Sequence, residues 1–157
     1  MLLASRSIHS KKLDGRPKTE SALRIHQKKI ADKNIRLVKR LGSEVIAEVH
    51  RGELLQVISN LIVNAVDALP TSGTLHLRLR KSEGKVHFLI ADNGHGIPAE
   101  NLESIFQAFF TTKEERGTGL GLALAKKIIE RHDGKIRVRS SICEGRKGTA
   151  FKISLPT

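Results

Sequence analysis

Gly117-Thr118-Gly119-Leu120-Gly121-Leu122, GTGLGL, runs straight into an apolar-periodic stretch that reads as a helix ending at His132. Glycines at alternate positions let a backbone pass close to a ligand and adopt φ > 0 at little cost. A helix beginning there offers unpaired N–H groups and a partial positive charge in its first turn. Together these describe a phosphate-binding corner. A tight turn before a helix is the plain alternative for the same letters, so the decision rests on what precedes them.

Upstream, residues 51–69 predict the clearest helix, ended by Pro70 and by Gly73 beyond it. Leu54, Ile58, Leu61, Ala65 and Leu69 form one apolar stripe, with Leu55, Ile62 and Val66 beside it. Asn60, Asn64 and Asp67, at i, i+4 and i+7, share a face, and Glu53 lies two turns earlier on it. For an arbitrary helix this would be a solvated outer face. The alternative is a polar ligand, since an Asn carbonyl is a hard neutral oxygen suited to Mg²⁺ shared with phosphates. Next comes Ala91-Asp92-Asn93-Gly94-His95-Gly96-Ile97-Pro98. A carboxylate at a strand end followed by spaced glycines suits close approach of a planar ligand, and Asp92 can accept from an exocyclic amine such as that of adenine. An Asp-Asn-Gly turn is the simpler account of the same residues. His95 reads as a polar loop residue.

The remainder of the chain builds a scaffold around these elements. Residues 1–17 are polar and basic and read as a flexible lead-in. Residues 19–33 can be helical, and 34–40 and 44–49 read as short strands around a Leu41-Gly42-Ser43 turn. Leu75, Leu77 and Leu79 alternate with His76, Arg78 and Arg80, a half-buried strand that predicts a hairpin with residues 86–91 across Ser82-Glu83-Gly84. Residues near 98–106 read as helical, and 107–118 as polar and mobile. Residues 135–140 and 149–155 are strands joined by a turn containing Gly145 and Gly148. Helices covering one face of a mixed, mostly antiparallel sheet predict an α/β fold, a two-layer α/β sandwich.

At 157 residues the chain suits one sizeable core, built from aliphatic side chains because its aromatics are five Phe alone. No run has the length of a membrane span. The single Cys143 cannot form an internal disulfide, and a reduced, cytoplasmic setting is the simplest reading. Net charge is +12. Residues 1–53 carry 13 basic and 6 acidic side chains and the rest carry 15 and 10, so the excess is densest in the first third. A solvated face accounts for it more simply than an anionic partner. No nucleic-acid partner is expected, since no Tyr or Trp is present to stack on bases.

Four segments in order resemble the ATP-binding catalytic domain of bacterial sensor histidine kinases, the GHKL or Bergerat type. They are Asn60-Leu-Ile-Val-Asn64-Ala-Val-Asp67-Ala, Asp92-Asn-Gly-His-Gly-Ile-Pro98, Ile105-Phe-Gln-Ala-Phe-Phe-Thr-Thr-Lys113 and GTGLGL. They correspond to that family's N box, first G box, F box and second G box. Gly148-Thr149-Ala-Phe-Lys-Ile-Ser-Leu-Pro156 resembles its closing strand, and the likeness runs from about residue 34 to 156. The resemblance implies ATP and Mg²⁺ as cofactors, with residues 34–157 as the catalytic domain and 1–33 as a basic lead-in and linker helix. It implies that Asn64 coordinates Mg²⁺ and that Asn60 lies near the phosphates. Asp92 would read the adenine amine with support from Thr149, and Gly94, Gly96 and Ile97 would shape the adenine pocket. Residues 106–116 would form a short lid, with Lys113 meeting the terminal phosphate and Arg116 a weaker candidate. Gly117, Thr118, Gly119, Leu120, Gly121 and Leu122 are assigned to the nucleotide, the three glycines letting backbone amides approach the phosphates. Ala108 stands where relatives often have Pro.

One position separates chemistries in that superfamily. Gyrase-like ATPases and related chaperones have a Glu one turn before the Mg-binding Asn, where it activates water; here that place is Asn60. An amide is no general base at neutral pH, so phosphoryl transfer is favoured over ATP hydrolysis. The expected partners are a histidine-containing dimerisation domain and a downstream response regulator. The phosphoacceptor motif, resembling His-Glu-x-x-Arg-x-Pro, is not found: His9 precedes Ser-Lys-Lys and His26 precedes Gln-Lys-Lys. The expectation is a fragment of a larger kinase, or a chain that acts on a partner's histidine. The alternatives are an anti-sigma-factor-type serine kinase and a non-catalytic ATP-responsive binding module.

Overall fold

The computed structural model describes residues 11–43, 45–111 and 119–157. Alternating burial along the apolar-polar repeats produces the strands. β1 is Lys11–Asp14, β2 Arg36–Leu41, β3 Ile46–Val49, β4 Thr74–Ser82, β5 Lys85–Asp92, β6 Lys135–Ser141 and β7 Gly148–Pro156. The helices are α1, Gly15–Ile25; α2, Gln27–Asp32; α3, Arg51–Ala68; and α4, Gly121–Arg131. Five strands form the main sheet in the order β2-β4-β5-β7-β6. β2 runs parallel to β4, and the other pairings are antiparallel. β1 and β3 make a separate antiparallel pair.

The core lies between the sheet and its helices. Leu75, Leu77 and Leu79 of β4, Phe88 and Ile90 of β5, and Phe151, Ile153 and Leu155 of β7 are buried. They share a cluster with Leu54, Ile58, Leu61 and Ile62 of α3 and with Ala125, Ile128 and Ile129 of α4. Burial of Leu or Ile side chains at about 1.5–3 kcal/mol each is the main source of stability in such a layer. The opposite face of the sheet presents the intervening polar residues, among them His76, Arg78 and Arg80, all exposed. The expected two-layer α/β sandwich is the architecture found.

Local chemistry explains where α3 stops. Pro70 has no N–H, so the Val66 carbonyl loses its helical donor. Lys33 supplies one: its Nζ lies 2.7 Å from the Val66 oxygen and 2.9 Å from the Leu69 oxygen. A cation at a helix C-terminus also complements the dipole.

Several expectations need correction. The flexible reading of residues 1–17 fails from Lys11 onward, because β1 pairs with β3 and α1 begins at Gly15 rather than near Thr19. Asp14 is the reason: it caps α1, accepting from the Arg16 N–H at 3.0 Å, and Pro17 sits in the first turn where its missing N–H costs nothing. Ala22 and Leu23 then dock α1 in the core. β2 and β3 do not pair with each other across the Gly42 turn. Leu37 and Leu41 match the inward parity of Leu75 and Leu79, which draws β2 beside β4. Over residues 98–106 only Ala99–Asn101 is helical, as one 3-10 turn. Of the segment expected to be mobile, residues 112–118 lie outside the described residues.

Candidate nucleotide site

The end of the sheet nearest α3 and α4 gathers most of the residues singled out in the sequence. Asp92 closes β5 on the same inward parity as Phe88 and Ile90, and stands opposite Thr149 of β7. Thr149 stands opposite Ser140 of β6. The three therefore form one transverse row on the helix-facing side of the sheet.

Each member of this row is held. The Gly94 N–H donates to Asp92 Oδ1 at 2.8 Å. Burial raises the Asp92 carboxyl above its ordinary range, opposed by hydrogen bonds from the Gly94 and Thr149 backbones and by the charge of His95. Ser140 Oγ donates to the Gly148 carbonyl at 2.8 Å and accepts from the Ile97 N–H at 2.7 Å. Its oxygen also lies 2.8 Å from Thr149 Oγ1. Ser140 thus ties the 92–98 loop to the start of β7. The sequence reading missed it. The signal was available: Ser140 follows Ile136 and Val138 on the inward side of β6, where a hydroxyl needs partners.

The loop after Asp92 presses against its surroundings, which explains its composition. The His95 N–H reaches the Ala68 carbonyl at the end of α3 at 3.2 Å, joining the loop to the asparagine helix. Gly96 has φ of +77°, and a Cβ there would run into the Ser141 carbonyl. Ile97 packs against the core. His95 itself is exposed, its Nδ1 2.7 Å from the Gly96 carbonyl, as expected of a polar loop residue.

On α3, Asn60 and Asn64 are partly buried, one turn apart. Asn60 Nδ2 donates to the Gly121 carbonyl at 3.0 Å, fastening α3 to the first residue of α4. Leu120, the residue before α4, makes no side-chain cap hydrogen bond, its apolar side chain having no acceptor to offer. Leu120 is exposed and Leu122 packs against the core. Glu53 makes a different contact from the one its sequence face suggested. Its carboxylate takes Arg131 Nη2 at 2.6 Å and His132 Nε2 at 2.7 Å, clamping the far end of α4.

Phe109 and Gly119 are joined through their backbones. The Phe109 N–H donates to the Gly119 carbonyl at 2.9 Å, and Gly119 has φ of +69°. Phe106 packs edge-on against Phe151 at 6.3 Å, with Lys126 Nζ 5.6 Å from its ring centre. Lys113, Arg116, Gly117 and Thr118 lie outside the described residues. Among the described residues no group of three His, Cys, Asp or Glu is placed to hold a metal. No helix among them is long and apolar enough to cross a membrane.

A two-layer sandwich with such a corner at one sheet end defines a nucleotide-binding class, and comparison with known proteins agrees. The family described as "Histidine kinase-, DNA gyrase B-, and HSP90-like ATPase" matches residues 50–157, and the chain belongs to this family. Sporulation kinase A of Bacillus subtilis is 47% identical over 106 residues, covering 68% of this chain and 17% of that protein. Sensor histidine kinase ZraS of Salmonella typhimurium is 45% identical over 104 residues, covering 66% and 22%. The chain thus spans a minor part of the length of these relatives. The catalytic domain of histidine kinase ThkA superposes with a TM-score of 0.82 at 30% identity, covering 93% of this chain and 96% of that one. ThkA in complex with response regulator protein TrrA matches with a TM-score of 0.78 at 28% identity, covering 93% and 41%.

Proposed function

We propose that this chain binds Mg-ATP in the corner between α3, the 92–98 loop and the start of α4. It then transfers the γ-phosphoryl group to a histidine on a dimerisation domain, from which a response regulator takes it. The observation that carries this reading is Asn60. Its amide stands where hydrolytic relatives need a water-activating carboxylate, and its N–H is already engaged by the Gly121 carbonyl. Without a general base for water, catalysis rests on positioning and on stabilising the transferred group.

The roles follow from the donors. Asp92, held by the Gly94 N–H, accepts from the adenine amine, with Thr149 beside it and Gly96 and Ile97 against the ring. Asn64 offers a neutral oxygen on the Asn60 face of α3, a hard donor that fits Mg²⁺ shared with phosphate oxygens. When bound, the ion would neutralise developing phosphate charge. Lys113 meets the terminal phosphate, and the backbone from Gly117 through Thr118 and Gly119 to Gly121 cradles the chain of phosphates. Residues 34–157 are the catalytic unit, and the segment before it, docked through Ala22 and Leu23, leads in from the dimerisation domain. The working compartment is the cytoplasm, the source of ATP.

The test supplies Mg²⁺ and γ-labelled ATP with a separately prepared dimerisation domain bearing the acceptor histidine. Acid-labile label on that domain is the expected result. Acid-stable label would make the acceptor a hydroxyl side chain. Nucleotide binding without transfer to any acceptor would reduce the chain to an ATP-responsive binding module.

A further inference from the structure

The face of the main sheet that carries no helices has a one-sided chemistry. Following the strand register across it gives a continuous row, Arg40 to Arg78 to Leu89 to Lys152 to Arg137. All four cations of this row are exposed. Arg80 and Arg139, two residues along their strands, extend it on either side. No Asp or Glu occupies the outward positions of β2, β4, β5, β6 or β7. Among the described residues no ion pair involves a cation of this face, whereas Lys39, one residue along β2 and facing the helices, pairs with Glu20 of α1 at 3.1 Å. Arg40, Arg78 and Arg80 also line a shallow hollow at the β2–β4 edge. His87 on the same face has its pKa lowered by burial and then by Lys152 and Arg80, against a smaller opposing effect of the Ser82 backbone and of Glu83 in the β4–β5 turn.

We propose that this open sheet face is a docking surface for a membrane rich in acidic phospholipid. The face is broad and built on a continuous hydrogen-bonded sheet, so its long cationic side chains can reach a planar array of negative head groups together. Its outward positions carry no Phe, Tyr or Trp, Phe88 and Phe151 both being buried on the other side. It therefore lacks the large aromatic platforms on which successive single-stranded bases stack. Nor does it present a helix or ribbon that could enter a duplex groove. Asp92, Thr149 and α4 lie on the helix side of the sheet, so a chain seated this way keeps them turned to solution. This inference is independent of the phosphotransfer reading.

The experiment is co-sedimentation of the chain with vesicles of neutral phosphatidylcholine, or of the same lipid with about a third phosphatidylglycerol, at low and high salt. Near a charged bilayer each basic residue contributes roughly fivefold in partitioning, so losing three costs about a hundredfold. The variant Arg78→Glu/Lys152→Glu/Arg137→Glu should lose at least that much binding to acidic vesicles. The control Arg24→Glu/Lys28→Glu/Lys127→Glu, with the same change in net charge on exposed helical positions, should retain most of it. Binding should vanish at about 0.5 M salt, where charge interactions are screened within a few ångströms. If the reversal variant fails to fold by circular dichroism, the corresponding triple Gln variant gives the same comparison with a milder change. Equal losses in the two variants, or equal binding to neutral vesicles, would overturn the proposal. Displacement of the chain from acidic vesicles by duplex DNA at equal phosphate concentration would overturn it in favour of a nucleic-acid surface.

Discussion

Asp92→Asn separates recognition from folding at the candidate site. The native carboxylate accepts the Gly94 N–H through Oδ1 and is the acceptor proposed for the adenine amine. The amide preserves an oxygen for Gly94 and turns the other position into a donor. Stability should change by no more than about 1–2 kcal/mol, because the half-buried group keeps the Gly94 hydrogen bond through Oδ1 and loses a charge that burial already disfavours, against a weakened contact with the Thr149 backbone. ATP should fare much worse. A hydrogen bond to a charged acceptor, about 1.5–3 kcal/mol, is lost and replaced by two opposed donors. The Kd for ATP should rise by about ten- to a hundredfold, taking each 1.4 kcal/mol as tenfold. The new donor matches a purine carrying a carbonyl instead of the amine, so relative affinity should shift toward ITP. Calorimetric titration of both nucleotides, alongside urea unfolding, reads all three quantities. An Asn variant that folds normally and binds ATP within about threefold of the parent would refute the adenine assignment.

The same group makes binding pH-dependent: burial raises the Asp92 pKa, so protonation removes the acceptor at a pH above the ordinary value of about 3.9, and ATP affinity should fall on acidification in that window. Ser140→Ala deletes the hydroxyl shared by Ile97, Gly148 and Thr149; at about 1 kcal/mol per hydrogen bond it should cost roughly 2–3 kcal/mol in urea unfolding, with weaker nucleotide binding, and a loss under about 0.5 kcal/mol would mean the row does not depend on it. Lys33→Met leaves the Val66 and Leu69 carbonyls without their donor and should destabilise by about 1–3 kcal/mol, measured as a lower urea midpoint at unchanged slope. Burial raises the Glu53 pKa, but the His132 hydrogen bond and the charges of Arg131, His132 and His50 outweigh it, leaving it lowered. That stability is present above the unfolded value of about 4.3 and is lost as pH falls through the folded value. Glu53→Gln should cost about 1 kcal/mol at neutral pH, as Arg131 is half exposed, and the difference from the parent should shrink in acid; a pH-independent difference would exclude the ionic clamp.

The elements set by local periodicity were legible in the letters. Leu75, Leu77 and Leu79 alternate as a strand does, and the stripe from Leu54 to Ala65 recurs as a helix does, so β4, β5 and α3 are found where patterning puts them. The spaced asparagines, the Asp92 loop and GTGLGL stood out in the letters as residue types suited to a ligand, the role proposed for them above. Features made by distant partners were not legible. β1 and β2 find their neighbours by pairing with segments far along the chain, and strand periodicity names a face but not a neighbour. Ser140 becomes part of the site only because β6 lies beside β7, and Glu53 becomes a clamp only because α4 folds back to bring Arg131 and His132 to it. The basic face has the same origin. Arg40, Arg78, Lys152 and Arg137 are scattered along the chain, and it is sheet register, a property of hydrogen bonding between segments, that sets them in one row.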